Sequence, residues 1–337
     1  MLGQIQSAPR SLFDGRPERL VSPAAHSRHE LHHPERDWPQ TNCYVDLWIE
    51  LAAAAGFEPE AMLGFTVAQD FEGDQFTFFK PPLADLERLF GLRVEELALY
   101  DRVESHIERQ IALGRVVLLE VDGYYLPDTR GVTYRLEHSK TTIAIVRFDA
   151  AASQLEYFHN DGLFTLENDD FDGVLGRLPG QKRADSLFPY AEFVRFDRRR
   201  VDAGDVRGIA EVLLRRHFAR RPENNPLRGF AAELPRLWRV MEQRPPGFFH
   251  SFAFNSFRQL GANFELLGSF LAWLRGDGFF DAEIAECRFL SSSAKAMQFQ
   301  VARAASRRRP FDPGAALEDM AGAYDRLFAG LVRALTS

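Results

Sequence analysis

Hydrophobic and polar positions along this chain fall into two regimes. Over residues 43–55 apolar side chains recur at helical spacing, with Cys43, Leu47 and Leu51 on one face. Thr41 or Asn42 can cap the start of this helix, and Gly56 can close it. Residues 83–90 and 102–112 carry the same period, the second stopping at Gly114. The period then shortens. Residues 116–122 form an apolar run of strand length, and 141–148, 155–159 and 192–196 predict further strands. The stretch 149–153 is short enough for a hairpin-like turn. Beyond about residue 203 the helical period returns over 205–218, and the chain breaks at 221–226. Three long helical patterns follow, over 249–274, 281–306 and 314–335. The pattern predicts an α+β chain: an extended arm over 1–40, a mixed domain with a small antiparallel sheet over 41–200, and an all-helical C-terminal domain over 201–337.

Composition narrows the function classes. The 337 residues carry a formal charge of −7, which argues against nucleic acid as the main partner. Arginine runs at 198–200, 215–216, 220–221 and 307–309 fit solvated helix ends, or a docking patch for an acidic protein. The 30 phenylalanines point to sizeable apolar cores or a lined pocket. Two cysteines make neither a disulfide framework nor a four-cysteine zinc site. His26, His29, His32 and His33 are spaced closely enough to suggest metal, but no cysteine or carboxylate pattern accompanies them, so a surface arm without metal is expected. No run approaches the ~20 apolar residues that cross a bilayer, and no secretory pattern is visible over 1–13. The expectation is a cytoplasmic protein with no membrane partner.

The candidate chemistry centres on Cys43, in the first turn of the predicted helix. Unpaired N–H groups and the helix dipole favour a thiolate there and can hold an oxyanion. Gln40 or Asn42 could supply a side-chain donor to that oxyanion hole. The alternative is a small packed side chain, which is the better account of Cys287 on the apolar stripe of its helix. A base must come from elsewhere, and His138 stands just before the strand over 141–148. The group orienting its ring is expected on the neighbouring strand: Asp161, with Asn160 or His159 as substitutes. Asp122, followed by Tyr124 and Tyr125, either forms a turn before Gly123 or binds a substrate amine beside Tyr125. On the helix over 249–274, Asn255, Arg258, Gln259, Asn263 and Glu265 fall on one arc, to which Lys295 and Gln298 could be joined. They form an internal network with the α/β part or line a substrate pocket.

The segments Thr41–Trp48, Val121–Pro127, Glu137-His138-Ser139 and Arg258–Glu265 resemble an uncharacterised bacterial family, domain-of-unknown-function family 1839, over most of the chain. The first three also resemble the N-terminal domain of the butirosin biosynthesis acyltransferases, over about residues 40–165. That likeness implies a papain-like (NlpC/P60-type) fold, with Cys43 as the acyl-accepting cysteine, His138 as its histidine and Asp161 as the acidic residue. It further implies an aminoacyl group delivered as a thioester on the phosphopantetheine of a carrier protein, passed to a small-molecule amine, with no cofactor bound to the enzyme itself. The alternatives are a papain-like amidase or peptidase with water as acceptor, and a non-catalytic binding protein that retains the fold.

Overall fold

A computed structural model describes residues 22–181, 187–196, 205–245, 247–276, 278–307 and 311–336. The predicted arm over 1–21, the arginine run at 198–200 and Arg308 and Arg309 lie outside the described residues. The fold is α+β: a six-stranded antiparallel sheet with helices, and a helical C-terminal region. It divides into two compact units whose segments alternate along the chain. One takes described residues 22–29, Asp46–Pro59 and 86–196; the other takes Glu30–Val45, Glu60–Asp85 and the described residues from 205 onward. Helix α1 (Cys43–Ala54) begins in the second and continues in the first, and α2 (Leu83–Phe90) crosses the division likewise.

The first unit is built on strands β1 (Leu92–Glu96), β2 (Val116–Asp122), β3 (Lys140–Asp149), β4 (Gln154–His159), β5 (Gly162–Glu167) and β6 (Ala191–Phe196). Their order is β1-β6-β2-β3-β4-β5, every pair antiparallel. Alternation decides which residues meet. Val117, Leu119 and Val121 share a face with Ile143, Ile145, Leu155 and Tyr157, and this face buries against Val103 and Ile107 of α3 (Val103–Ala112) and Phe171 of α4 (Asn168–Val174). In the β2–β3 register Asp122 pairs with Lys140, bringing the end of β2 to the start of β3.

Sequence pattern misses two strands. β1 has only five residues, and β5 follows β4 after a turn at Asn160-Asp161 too tight to separate two patterns. The expected surface arm is corrected from residue 22 on: Leu31, His32 and Trp38 are buried, and His26 Nε2 lies 2.8 Å from the fully buried Glu50 carboxylate, which also accepts from the His29 N–H.

The second unit contains α5 (Val206–Phe218), α6 (Pro226–Glu242), α7 (Phe248–Ala253), α8 (Gln259–Arg275), α9 (Asp281–Arg307) and α10 (Gly314–Thr336). Helix α8 packs along α9, while α10 packs on α9 and α6. Helix α6 has no counterpart in the sequence pattern, where its prolines resemble punctuation. Pro226 sits in its first turn, where the missing N–H costs nothing, and Asn225 caps it by accepting from Leu227 N–H at 3.0 Å. Pro235 lies inside the helix, a position that costs roughly 3 kcal/mol in an isolated one; burial of Leu227, Phe230, Leu234 and Leu237 offsets it. The single helix expected over 249–274 is split by a π-turn at Phe254–Arg258, which rotates every residue after it.

Candidate functional site

Cys43 opens α1 and is half-buried. The turn before it is fixed from both sides. Asn42 is the cap, its Oδ1 accepting from Val45 N–H at 3.0 Å while its Nδ2 donates to the Phe79 carbonyl at 3.1 Å. The Arg258 guanidinium donates to the carbonyls of Thr41 at 2.8 Å and Gln40 at 2.7 Å. The expectation of Asn42 as an oxyanion donor is thereby corrected: the residue is buried, and both ends of its amide are committed to backbone. Gln40 is held through its main chain. Thr41 is buried, while Lys80 Nζ stands 4.6 Å above the Tyr44 ring, placing a cation beside the first turn of α1. Cys287, by contrast, is completely buried on α9, and burial drives its thiol pKa far above the ordinary value.

In the unit that carries the sheet, β2 ends in Asp122, whose carboxylate organises the turn after it. Its Oδ1 accepts from Tyr124 N–H at 3.0 Å and Ser139 N–H at 3.2 Å, and its Oδ2 lies 2.5 Å from His138 Nδ1. A carboxylate only accepts, so Nδ1 carries a proton, and in its neutral form the ring presents a lone pair at Nε2. The imidazole is held a second way, stacked on Tyr124 with centroids 4.5 Å apart and planes 15° apart. Arg135, at positive φ and paired with Asp170, lies 5.5 Å above the same tyrosine ring. With its side chain 70% exposed, His138 is fixed in direction yet open to solvent. It borders a cleft of about 930 Å³ whose walls include Glu120, Asp122, Tyr125, Lys140 and Phe188. Tyr125 is buried there with its ring over Gly173, at a position where any Cβ would collide with it.

Asp161, expected to orient His138, is instead paired with Arg28 at 2.8 Å, and the carboxylate on the His138 ring is Asp122. The reason is register: Asp161 occupies the β4–β5 turn, whereas β2 and β3 are the adjacent pair whose ends carry Asp122 and His138. Of the two expectations for Asp122, the turn is what the structure has. Its oxygens are occupied by two backbone N–H groups and an imidazole rather than left for a substrate amine.

Residues 27–196 match the DUF1839 N-terminal domain, and residues 205–333 match the DUF1839 C-terminal domain. The chain belongs to the DUF1839 family. No curated protein matches it. Among the described residues of this DUF1839 protein, no group of three or more His, Cys, Asp or Glu side chains could hold a metal ion, and no helix is long and apolar enough to cross a membrane.

The polar arc expected on one long helix is directed at the chain itself rather than at a substrate pocket. Arg258 holds Gln40 and Thr41; Asn263 donates to the Thr66 carbonyl at 2.9 Å; Gln69 donates to the Gln259 carbonyl at 3.0 Å. Glu265 accepts from the N–H groups of Asp37 and Trp38, both at 3.0 Å, and burial raises its carboxyl pKa against the opposing pull of Arg36. Gln259 and Asn263 are fully buried. Asn255, displaced by the π-turn, donates to the Ser251 carbonyl at 2.9 Å, and its own carbonyl accepts from Phe76 N–H at 3.2 Å. Lys295 caps the Trp38 ring at 4.3 Å, and burial lowers its pKa.

Sequence reasoning overlooks Asp128. Its side chain is 3% exposed and receives the Tyr157 hydroxyl at 2.5 Å on one oxygen and His159 Nδ1 at 2.6 Å on the other. The Thr141 hydroxyl, 2.7 Å from His159 Nε2, completes the chain. Desolvation, then the Asp128 charge, push the Tyr157 phenol far up its scale. The carboxylate thus pins the loop after β2, which also carries Tyr124 and His138, to strands β3 and β4. The sequence signal is a carboxylate directly after Pro127, which reads equally well as an ordinary turn residue.

Proposed function

We propose that the protein is a cysteine-dependent acyltransferase in which Cys43 carries the acyl group and His138, oriented by Asp122, is the base. The observation that carries this reading is the 2.5 Å Asp122–His138 contact, which leaves Nε2 as a proton acceptor on an exposed, doubly held ring. The thiol at the head of α1, with the Lys80 ammonium over the ring of the next residue, Tyr44, supports it. In this mechanism His138 takes the Cys43 proton and the thiolate attacks an aminoacyl thioester. A carbon–sulfur bond forms to Cys43 and the donor leaves as a thiol. An amine then attacks the acyl-cysteine: the N–C bond forms, the C–S bond breaks, and the nitrogen's surplus proton passes through Nε2 to the departing sulfur. Backbone N–H groups of the first turn of α1 serve the oxyanion. Exchange between thioesters is nearly balanced in energy, so positioning and exclusion of water supply the catalysis.

The papain-like arrangement, the kinship with the butirosin acyltransferases and the carrier protein's phosphopantetheine as acyl donor belong to the same reading. Intact-protein mass after exposure to an aminoacyl thioester tests it. Wild type should gain one acyl mass, Cys43→Ala none, and Asp122→Asn should acylate about a hundredfold or more slowly. An equal adduct on Cys43→Ala, or none on wild type, refutes it. Water as acceptor gives the hydrolase alternative, distinguished by product analysis with and without added amine. A purely binding protein would leave Cys43 inert to alkylation below pH 8.

A further inference from the structure

The cleft beside His138 has a chemistry of its own. Val103, Tyr125 and Val174 form an apolar inner wall. The lip carries Leu187, Tyr100 and Phe188, which are 95%, 84% and 53% exposed. Large apolar side chains clustered at the mouth of a cavity mark a binding surface rather than a random surface scatter. The volume, about 930 Å³, lies within the range of small-molecule sites, so the occupant is larger than a short polar group.

The polar end of the cleft sets the charge of that occupant. Among the described residues two cations line it, and both are already matched: Lys140 Nζ by Glu120 at 2.6 Å, and Arg102 by Glu104 at 3.9 Å. Asp101 and Asp122 remain, Asp122 held against the His138 ring, whose neutral form leaves its charge unmatched. Among the described residues a phosphate or carboxylate would face these carboxylates, whereas an ammonium would be drawn to them. His138 Nε2 is the acceptor that such a group would meet, since Nδ1 is occupied.

We propose that this cleft binds an amine with an apolar body, its nitrogen donating to His138 Nε2 and its body lying between Tyr125 and the Leu187–Phe188 lip. This inference rests on the reading of His138 as the base and names the class of acceptor, setting it apart from the anionic arm of an acyl donor.

The experiment uses the full chain carrying Cys43→Ala, so that no covalent step intervenes, with histidine ring nitrogens labelled and the His138 signals assigned by their loss in His138→Gln. Three probes are titrated: 2-phenylethylamine, ethanolamine as the polar amine, and 2-phenylethanol as the uncharged apolar analogue. The expected result is saturable binding of 2-phenylethylamine with movement of the Nε2 resonance. Affinity should fall about tenfold in Phe188→Ser, the effect of losing one aromatic contact, and both other probes should bind more weakly by at least that factor. Leu187→Asp serves as a second lip variant; both positions are exposed, so neither substitution disturbs the core. Absence of saturable binding, equal binding of ethanolamine or 2-phenylethanol, or indifference to both lip substitutions overturns the proposal. Amine binding without an acyl adduct on wild-type Cys43 would leave the cleft assignment standing and remove the acyltransferase reading; an adduct without amine binding would do the reverse.

Discussion

Replacing Asp128 with alanine should be among the most damaging single substitutions in the sheet-bearing unit. Its carboxylate accepts from two donors whose own side chains are closed off from water, Tyr157 being fully buried and His159 2% exposed. Removing the acceptor leaves a phenol and an imidazole N–H without a partner, at about 1–3 kcal/mol each. The total, about 2–6 kcal/mol, is a large share of the ~5–15 kcal/mol that holds a typical domain together. Tyr157→Phe removes one donor but leaves Asp128 Oδ1, a buried acceptor, without its partner, and should itself cost about 1–3 kcal/mol. In the Tyr157→Phe background, Asp128→Ala should then cost less than it does alone, because one of the two orphaned donors is already gone. Urea unfolding followed by far-ultraviolet circular dichroism gives all four corners of the cycle. Additive effects, or a loss below about 1 kcal/mol for Asp128→Ala, would show that the network does not anchor the loop.

Ellman's reagent should titrate one thiol in the native protein and two in urea, since Cys43 is half-buried while burial both encloses Cys287 and raises its pKa; two fast native thiols would contradict this. Because burial lifts the Glu265 carboxyl above its ordinary value of 4.5, its contribution to stability is complete below that value and is lost as pH rises through the higher folded one. Glu265→Gln should therefore flatten the fall in stability on the alkaline side of pH 4.5, read from denaturant midpoints across pH. Gly173→Ala drives a Cβ into the Tyr125 ring and should cost about 1–3 kcal/mol through overpacking, visible as a lowered thermal midpoint.

Much of the local structure can be read from residues alone, because local signals decide it. Asn42 does cap α1, and β2 occupies 116–122 as its apolar run predicts. Helix α6 is hidden because a proline at its start and another inside it resemble punctuation, and only the buried face of its folded form shows why the helix survives. The partner of His138 is hidden for a different reason. Asp122 lies 16 positions away in sequence, and the choice between it and Asp161 depends on which strands are neighbours, a non-local fact. The polar residues of α8 are visible as an arc, but the π-turn that shifts Asn255 out of line, and the backbone carbonyls that Arg258 and Asn263 engage, come from tertiary packing.

The alternation of segments between the two compact units means that the family's sequence boundary is not a place to divide the molecule. A fragment ending at residue 196 would retain Trp38, whose indole lies where Gly261 leaves room for it, and Phe76, which packs on Phe230 at 5.2 Å. It would lose both of those partners. Such a piece would expose aromatic surface and invite aggregation, and exchange of halves between family members would require each donor to bring residues 30–45 and 60–85 along with its helices.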